Sequence, residues 1–141
     1  MALAEQHLAA EFNTDDMKII DNNVFVICSD GDLQEGVSSE ASSLAGHLGL
    51  GKLVVLYDDN KISIDGRTDI SFSEDVLKRY ESYGWHVQRV ADGNTDLSGL
   101  AVAVEKAKKE TSKPSMIAVK TVIGYGSKKE DTAGKDNPIV V

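Results

Sequence analysis

The sequence contains very little cysteine and no long apolar run. Cys28 is the single cysteine among 141 residues, which excludes an intrachain disulfide. No apolar stretch approaches the roughly 18–20 residues that a membrane-spanning helix requires. The N-terminus also lacks the basic start, apolar centre and small-residue cleavage site of a secretory signal. We therefore expect a cytoplasmic protein with no membrane partner.

An excess of basic residues is missing as well. Acidic residues number 23 against 15 lysines and arginines, which gives a net charge of −8. Nucleic-acid binding needs clustered Lys and Arg, so we expect no nucleic-acid partner. An acidic domain can still bind a phosphorylated ligand if a divalent cation neutralises the charge between them.

The sequence does contain a regular alternation of strand-like and helix-like segments. Short β-branched apolar runs predict strands at 24–28, 53–57, 85–90 and 116–122. Helical spacing of apolar residues predicts helices at 1–12, 35–49, 74–83 and 97–110. This alternation predicts an α/β fold, with a parallel sheet and helices on both faces.

The same patterns predict which side chains are buried. The run 24–28, which includes Cys28, is typical of a strand buried on both faces. Ser73 and Asp96 stand where capping side chains begin the third and fourth helices. Two helices carry an apolar face, formed by Leu3, Ala4, Leu8 and Phe12 in the first and by Leu44, Ala45 and Leu48 in the second.

Polar residues follow the first two predicted strands. Asp30-Gly31 comes after one strand and Asp59-Asn60 after the next. In open α/β sheets ligands bind beyond the carboxyl ends of strands, and carboxylate and amide oxygens suit Mg²⁺ or Ca²⁺. Gly31 has no Cβ, so its backbone can approach a phosphate closely. An alternative stays open, because Asp-Gly is common in turns and Asn often binds its own backbone.

A longer stretch resembles the transketolase family. The segment Ser29-Asp30-Gly31 followed about thirty residues later by Asn60 is similar to the family's thiamine diphosphate motif, Gly-Asp-Gly then Asn. The resemblance continues through 38–47, 57–66, 74–76, 83–85, 92–94, 113–114 and 121–127. It implies a thiamine diphosphate-binding fold over 1–127, incomplete on its N-terminal side, and a divergent, irregular tail at 128–141.

The resemblance also implies roles for individual residues. Three would bind a divalent metal, Mg²⁺ or Ca²⁺: Asp30, Asn60 and, through its carbonyl, Ile62. Four would contact thiamine diphosphate: Gly31 and Asn60 near the diphosphate, and Ile64 and Ile123 against the rings. Glu35 matches a family glutamate at the subunit interface.

The activity that the resemblance implies is transfer of two-carbon ketol units between sugar phosphates, in the pentose phosphate pathway of carbohydrate metabolism. No catalytic residue is assigned, because nothing in the 141 residues matches the family's pyrimidine-binding domain. We therefore expect the chain to be inactive alone and to need a homodimer or partner chain that supplies this domain.

Two other interpretations stay open. One is a catalytically inactive remnant, or a dimerisation or interaction module, that keeps the transketolase fold. The other is a different thiamine diphosphate enzyme, such as a 2-oxoacid dehydrogenase subunit, which fits the short motif but not the longer match.

Two positions depart from the family pattern. Ser29 replaces the first glycine of Gly-Asp-Gly, and Asp32 stands where the family usually has a small or uncharged residue. A second carboxylate about 4–6 Å from another anion would cost on the order of 1–3 kcal/mol. If Asp32 points to solvent, we expect that cost to be small.

Overall fold

Six strands form two sheets in the computed structural model, which describes residues 1–64 and 66–130. In chain order they are β1 (Val24–Ser29), β2 (Leu53–Asp59), β3 (Ile62–Ser63), β4 (Gly66–Arg67), β5 (His86–Val90) and β6 (Ser115–Lys120). The main sheet has the order β1-β2-β6-β5 and all its strands are parallel. β3 and β4 form a small antiparallel hairpin directly after β2.

Five α-helices occupy the same described residues: α1 (Ala2–Phe12), α2 (Asp30–Gln34), α3 (Gly36–His47), α4 (Val76–Ser82) and α5 (Leu97–Lys109). Asp96 caps α5 as predicted, accepting the backbone N–H of Gly99 at 2.8 Å. α4 begins later than predicted and is capped by Asp75 rather than Ser73. The predicted helix at 35–49 is α3, and the short helix α2 before it, at Asp30–Gln34, was not predicted; Glu35 has extended backbone angles and separates the two.

The sheet buries a separate apolar core on each face. Alternate residues of a strand point to opposite faces, so Val54 and Val55 of β2 enter different cores. One core includes Ala45 of α3 and Val76 of α4. The other is formed with Ala103 and Ala107 of α5. The predicted α/β fold, with helices on both faces of a parallel sheet, is confirmed.

The prediction that the first strand is buried on both faces is wrong. Val24 is buried, but Phe25 is 50% exposed, Val26 40% and Ile27 81%. The side chains of a strand point to the faces of the sheet, and of the described helices only the short α2 packs closely against β1, which is an edge strand. Cys28 is only half-buried for the same reason.

The predicted apolar faces of two helices are also wrong in part. Leu3, Leu8 and Phe12 of α1 are all exposed, and the helix buries Ala2 and Glu5 instead. In α3, Ala45 is buried as expected and Leu48 is half-buried, but Leu44 is 53% exposed. α3 therefore turns the small residues Ser42 and Ala45 toward the rest of the chain, whereas α1 turns Ala2 and Glu5.

Two further sequence predictions concern membrane-spanning segments and the tail at 128–141. No helix among the described residues is long and apolar enough to cross a membrane. Residues 128–130, the start of the predicted tail, form a turn. The remainder of that predicted tail, 131–141, lies outside the described residues.

Candidate functional site

The candidate site lies where β1 and β2 end. These strands are parallel and in register, with Ser29 opposite Asp58. Asp30 and Asn60 follow directly, so both leave the sheet at the same edge. This is the edge at which open α/β sheets bind ligands.

Asp30 is fully buried at the first position of α2. The Tyr57 hydroxyl donates to its Oδ1 at 2.6 Å, and the backbone N–H of Lys61 donates to its Oδ2 at 3.0 Å. Burial raises the pKa of the Asp30 carboxyl, while the Tyr57 hydrogen bond and the charge of Lys61 act to lower it. Each oxygen keeps a free lone pair, so the carboxylate can still accept a ligand.

Asn60 uses its side chain to shape the turn after β2. Its Oδ1 accepts the backbone N–H of Ile62 at 2.9 Å, and its Nδ2 donates to Asp58 at 2.9 Å. The alternative left open by the sequence, an Asn bound to its own backbone, is therefore present. It does not exclude a ligand role, because an amide oxygen has two lone pairs.

The turn between Asn60 and Ile64 brings the two predicted ligands together. The consecutive N–H groups of Lys61 and Ile62 bind the side chains of Asp30 and Asn60. Lys61 has φ 63° and Ile64 has φ 55°. Both residues are in the left-handed region, which is uncommon for any residue other than glycine and rarest for a β-branched residue such as Ile64. Ile64 is 99% exposed. Such backbone strain, about 1–3 kcal/mol per residue, is concentrated at functional sites.

Gly31 lies beside this turn, and Ile123 lies in the segment that follows β6. A Cβ at Gly31 would lie 3.6 Å from the Ser63 hydroxyl, an ordinary contact. The fold itself therefore does not require glycine there. Ile123 is half-buried in the segment after β6. Thr121, two residues earlier, donates its hydroxyl to Asp58 and so ties that segment to the end of β2.

Comparison with known proteins identifies the family of this chain. Residues 1–137 match the family model described as "Transketolase, thiamine diphosphate binding domain". The chain belongs to the transketolase family. A transketolase of Nostoc sp. is 63% identical over 95% of this chain, which covers 20% of that protein. Transketolase 1 of Saccharomyces cerevisiae is 58% identical over 90% of the chain and 19% of its own length.

Solved transketolases share the fold. A Pichia stipitis transketolase in complex with sedoheptulose-7-phosphate superposes with a TM-score of 0.90 at 52% identity, over 92% of this chain and 19% of the other. The chain therefore spans about a fifth of the length of these relatives. The domain boundary expected at residue 127 remains a prediction.

The donor set of this transketolase-family chain fits a divalent cation. Within residues 1–64 and 66–130 no group of three His, Cys, Asp or Glu side chains is gathered as a metal site. The predicted cation ligands are instead mixed oxygen donors: the carboxylate of Asp30, the amide oxygen of Asn60 and the carbonyl of Ile62. Mg²⁺ and Ca²⁺ accept such donors and complete their coordination with phosphate oxygens and water.

Sequence reasoning missed the residues that hold Asp30 in place. Tyr57 was expected only as an apolar strand residue, yet its hydroxyl binds Asp30. Asp59 is 4% exposed and carries ion pairs from Lys61 Nζ at 2.5 Å and Arg89 Nη1 at 3.2 Å. Strand alternation places Tyr57 and Asp59 on the same face of β2. That spacing was the available signal.

Ser29 and Asp32, the two residues that depart from the transketolase pattern, form hydrogen bonds with each other. The Asp32 carboxylate accepts the Ser29 backbone N–H at 2.8 Å and the Ser29 hydroxyl at 3.2 Å. Asp32 is exposed, so solvent screens its charge. Glu35 is also exposed, at the point where α2 ends and α3 begins.

Proposed function

We propose that this chain holds thiamine diphosphate through a divalent cation, Mg²⁺ or Ca²⁺. It would do so as part of an enzyme that transfers two-carbon ketol units between sugar phosphates. One observation carries the proposal: Asp30 and Asn60 are both anchored to consecutive N–H groups of a single turn. A carboxylate and an amide oxygen held in this way can share one cation.

The remaining residues have separate roles in this proposal. Ile62 contributes its carbonyl to the cation, and the Gly31 N–H faces the diphosphate. Ile64 and Ile123 pack against the rings of the cofactor. Ile64 is almost fully exposed, so its side chain is accessible for this contact. Bound thiamine diphosphate supplies the chemistry of carbon–carbon bond cleavage and formation, and this part of the protein binds and orients it.

The substrates and partners are proposed from the relatives. A Pichia stipitis transketolase of the same fold is solved in complex with sedoheptulose-7-phosphate, which supports sugar phosphates as substrates. Because this chain spans about 20% of its relatives, the complete site would include a pyrimidine-binding domain. A homodimer or a partner chain would supply it.

Calorimetric titration of thiamine diphosphate, with and without Mg²⁺, tests the cation site. The parent chain should take up the cofactor only with the cation. Asp30→Asn keeps the shape of the side chain and removes its charge. We expect it to weaken cation-dependent uptake by at least about 100-fold, since even partners that only orient a metal ligand account for about 10–100-fold.

Asp69→Ala is the matched control for that experiment. Asp69 is an exposed acid after β4, paired with Arg67 at 3.5 Å, so this variant loses the same charge outside the site. It should bind like the parent. Cation-independent uptake, or equal binding by Asp30→Asn, would contradict the proposal.

A second candidate is a catalytically inactive remnant, or a dimerisation or interaction module, that keeps the fold. The exposure of Phe25, Val26 and Ile27 on an edge strand favours it. No cofactor uptake by the parent, combined with concentration-dependent association in sedimentation, would support this candidate instead.

A further inference from the structure

Tyr57 connects the proposed ligand Asp30 to a second buried carboxylate. The Tyr57 side chain is 1% exposed, and its hydroxyl oxygen lies 2.6 Å from Asp30 Oδ1. The same oxygen lies 3.3 Å from Asp59 Oδ1. A phenol carries one proton, so the shorter distance assigns the hydrogen bond to Asp30.

Asp59 does not compete for that proton, because two cations already bind it. Lys61 Nζ lies 2.5 Å from Asp59 Oδ1, and Arg89 Nη1 lies 3.2 Å from Asp59 Oδ2. These positive charges also reduce the repulsion that Asp59 would exert on Asp30. The Tyr57 hydroxyl is therefore directed to Asp30.

Lys61 fixes the second oxygen of the same carboxylate. Its backbone N–H donates to Asp30 Oδ2 at 3.0 Å. With one donor on each oxygen, the plane of the carboxylate is set, and one lone pair on each oxygen keeps a defined direction. Partners of this kind typically contribute about 10–100-fold to metal affinity.

We infer that Tyr57 is a positioning residue whose hydroxyl orients the Asp30 carboxylate toward the divalent cation. The inference rests on the proposed function and adds to it a residue outside the family motif. Tyr57 acts through Asp30. Removal of its hydroxyl should weaken binding of the cation directly and binding of the cofactor only through the cation.

Tyr57→Phe and Tyr80→Phe form a matched pair for the test. Both tyrosines are buried in the same core. The Tyr80 hydroxyl accepts a hydrogen bond from Ser42 at 3.0 Å rather than binding a carboxylate. Each variant loses one buried hydroxyl, so loss of stability alone would affect both. Circular dichroism checks that both fold.

Cation affinity is measured with Mn²⁺ at a fixed concentration of thiamine diphosphate, by the electron paramagnetic resonance signal of free Mn²⁺. We expect Tyr57→Phe to lose about 10–100-fold in Mn²⁺ affinity and Tyr80→Phe to show no comparable loss. Saturating Mn²⁺ should return the thiamine diphosphate affinity of Tyr57→Phe to the parent value. A generally distorted site would not be rescued in this way.

Three results would overturn the inference. Equal Mn²⁺ affinity of Tyr57→Phe and the parent removes the role of Tyr57 and leaves the proposed function standing. Equal losses in Tyr57→Phe and Tyr80→Phe assign the effect to packing. Absence of Mn²⁺ uptake by the parent chain removes the proposed function together with the inference.

Discussion

At the scale of single residues, buried titratable groups distinguish the two ends of the sheet. At the carboxyl ends of the strands, Asp30 and Tyr57 share a hydrogen bond away from solvent. Burial, and then the hydrogen bond to Asp30, raise the pKa of the Tyr57 hydroxyl, so Tyr57 stays a donor. Burial, followed by the charges of Asp32 and Asp30, raises the pKa of the Cys28 thiol to about 12, so this thiol stays protonated and unreactive.

His86 lies at the opposite end, at the start of β5, with Nδ1 3.0 Å from the Ser115 hydroxyl. Burial, then the charges of Lys106 and Lys113, lower its pKa from the ordinary 6.5, and Glu110 opposes this. Between that value and the lower pKa of the folded state, the unfolded chain binds more protons. Acidification through this window therefore favours unfolding.

The prediction compares the parent with His86→Gln by urea denaturation at a series of pH values. The contribution of His86 to stability is complete above pH about 6.5 and is lost as the pH falls toward the pKa of the folded state. The free energy of unfolding of the parent should fall relative to the variant across that window. Carboxylates other than Glu110, whose charge interacts with His86, should contribute equally to both proteins. Parallel stability curves would show that the pKa of His86 does not differ between the folded and the unfolded chain, which would contradict the prediction.

The ligand candidates could be predicted from the sequence, but the residues that hold them could not. Asp30 and Asn60 follow apolar runs, and the ends of parallel strands meet at one edge. Lys61 and Arg89 gave no such signal, and Tyr57 gave only its spacing from Asp59, because their roles depend on contacts between β2, the turn after it and β5. Asp32 was expected either to repel the site or to point to solvent; it is exposed, and it also binds Ser29, which the sequence did not indicate.

At the scale of elements, α3 depends on a close approach to the turn between α4 and β5. The Trp85 indole N–H donates to the Ser42 carbonyl of α3 at 2.8 Å. A Cβ on Gly46 would lie 1.9 Å from the Tyr83 carbonyl oxygen and 3.2 Å from the Trp85 ring. The helix can therefore dock here only because residue 46 is glycine.

Gly46→Ala should lower the free energy of unfolding by about 1–3 kcal/mol, because the backbone of Tyr83 must move to admit the methyl group. Gly36→Ala is the control in the same helix. A Cβ on Gly36 would meet no atom within 4 Å, and alanine is the better helix former. This control should leave stability unchanged or slightly higher. Equal urea midpoints for the two variants would contradict the close approach.

The longer helices and strands followed from local patterns, but the short elements α2, β3 and β4 did not, and neither did burial. β1 has the apolar run of a central strand, yet three of its residues are exposed because little of the described chain covers its faces. α1 likewise exposes Leu3, Leu8 and Phe12. Which face of an element is covered depends on its neighbours, and periodicity describes only the element itself.

At the scale of the whole molecule, the two outer strands of the sheet differ in coverage. β5 packs against α4 and α5, and its last residue, Val90, is buried with Ala103 and Ala107 of α5. β1 has an unpaired outer side among the described strands and exposes Phe25, Val26 and Ile27. An exposed apolar edge strand offers backbone N–H and C=O groups to another chain. Among the described strands β5 also has an unpaired outer side, but α4 and α5 cover its side chains, so β1 is the open apolar edge.

This open edge predicts that the chain associates with itself at micromolar concentration, through β1. Ile27→Lys should shift sedimentation velocity profiles toward the monomer, because a lysine on an edge strand opposes pairing. Ile27 is 81% exposed, so the substitution itself should change stability by no more than about 0.5 kcal/mol. Val102→Lys is the control, because Val102 is 68% exposed on α5, where the helix leaves no strand edge open. It should associate as the parent does. A parent chain that is monomeric at every concentration, or equal effects of the two lysines, would show that the edge of β1 does not drive association.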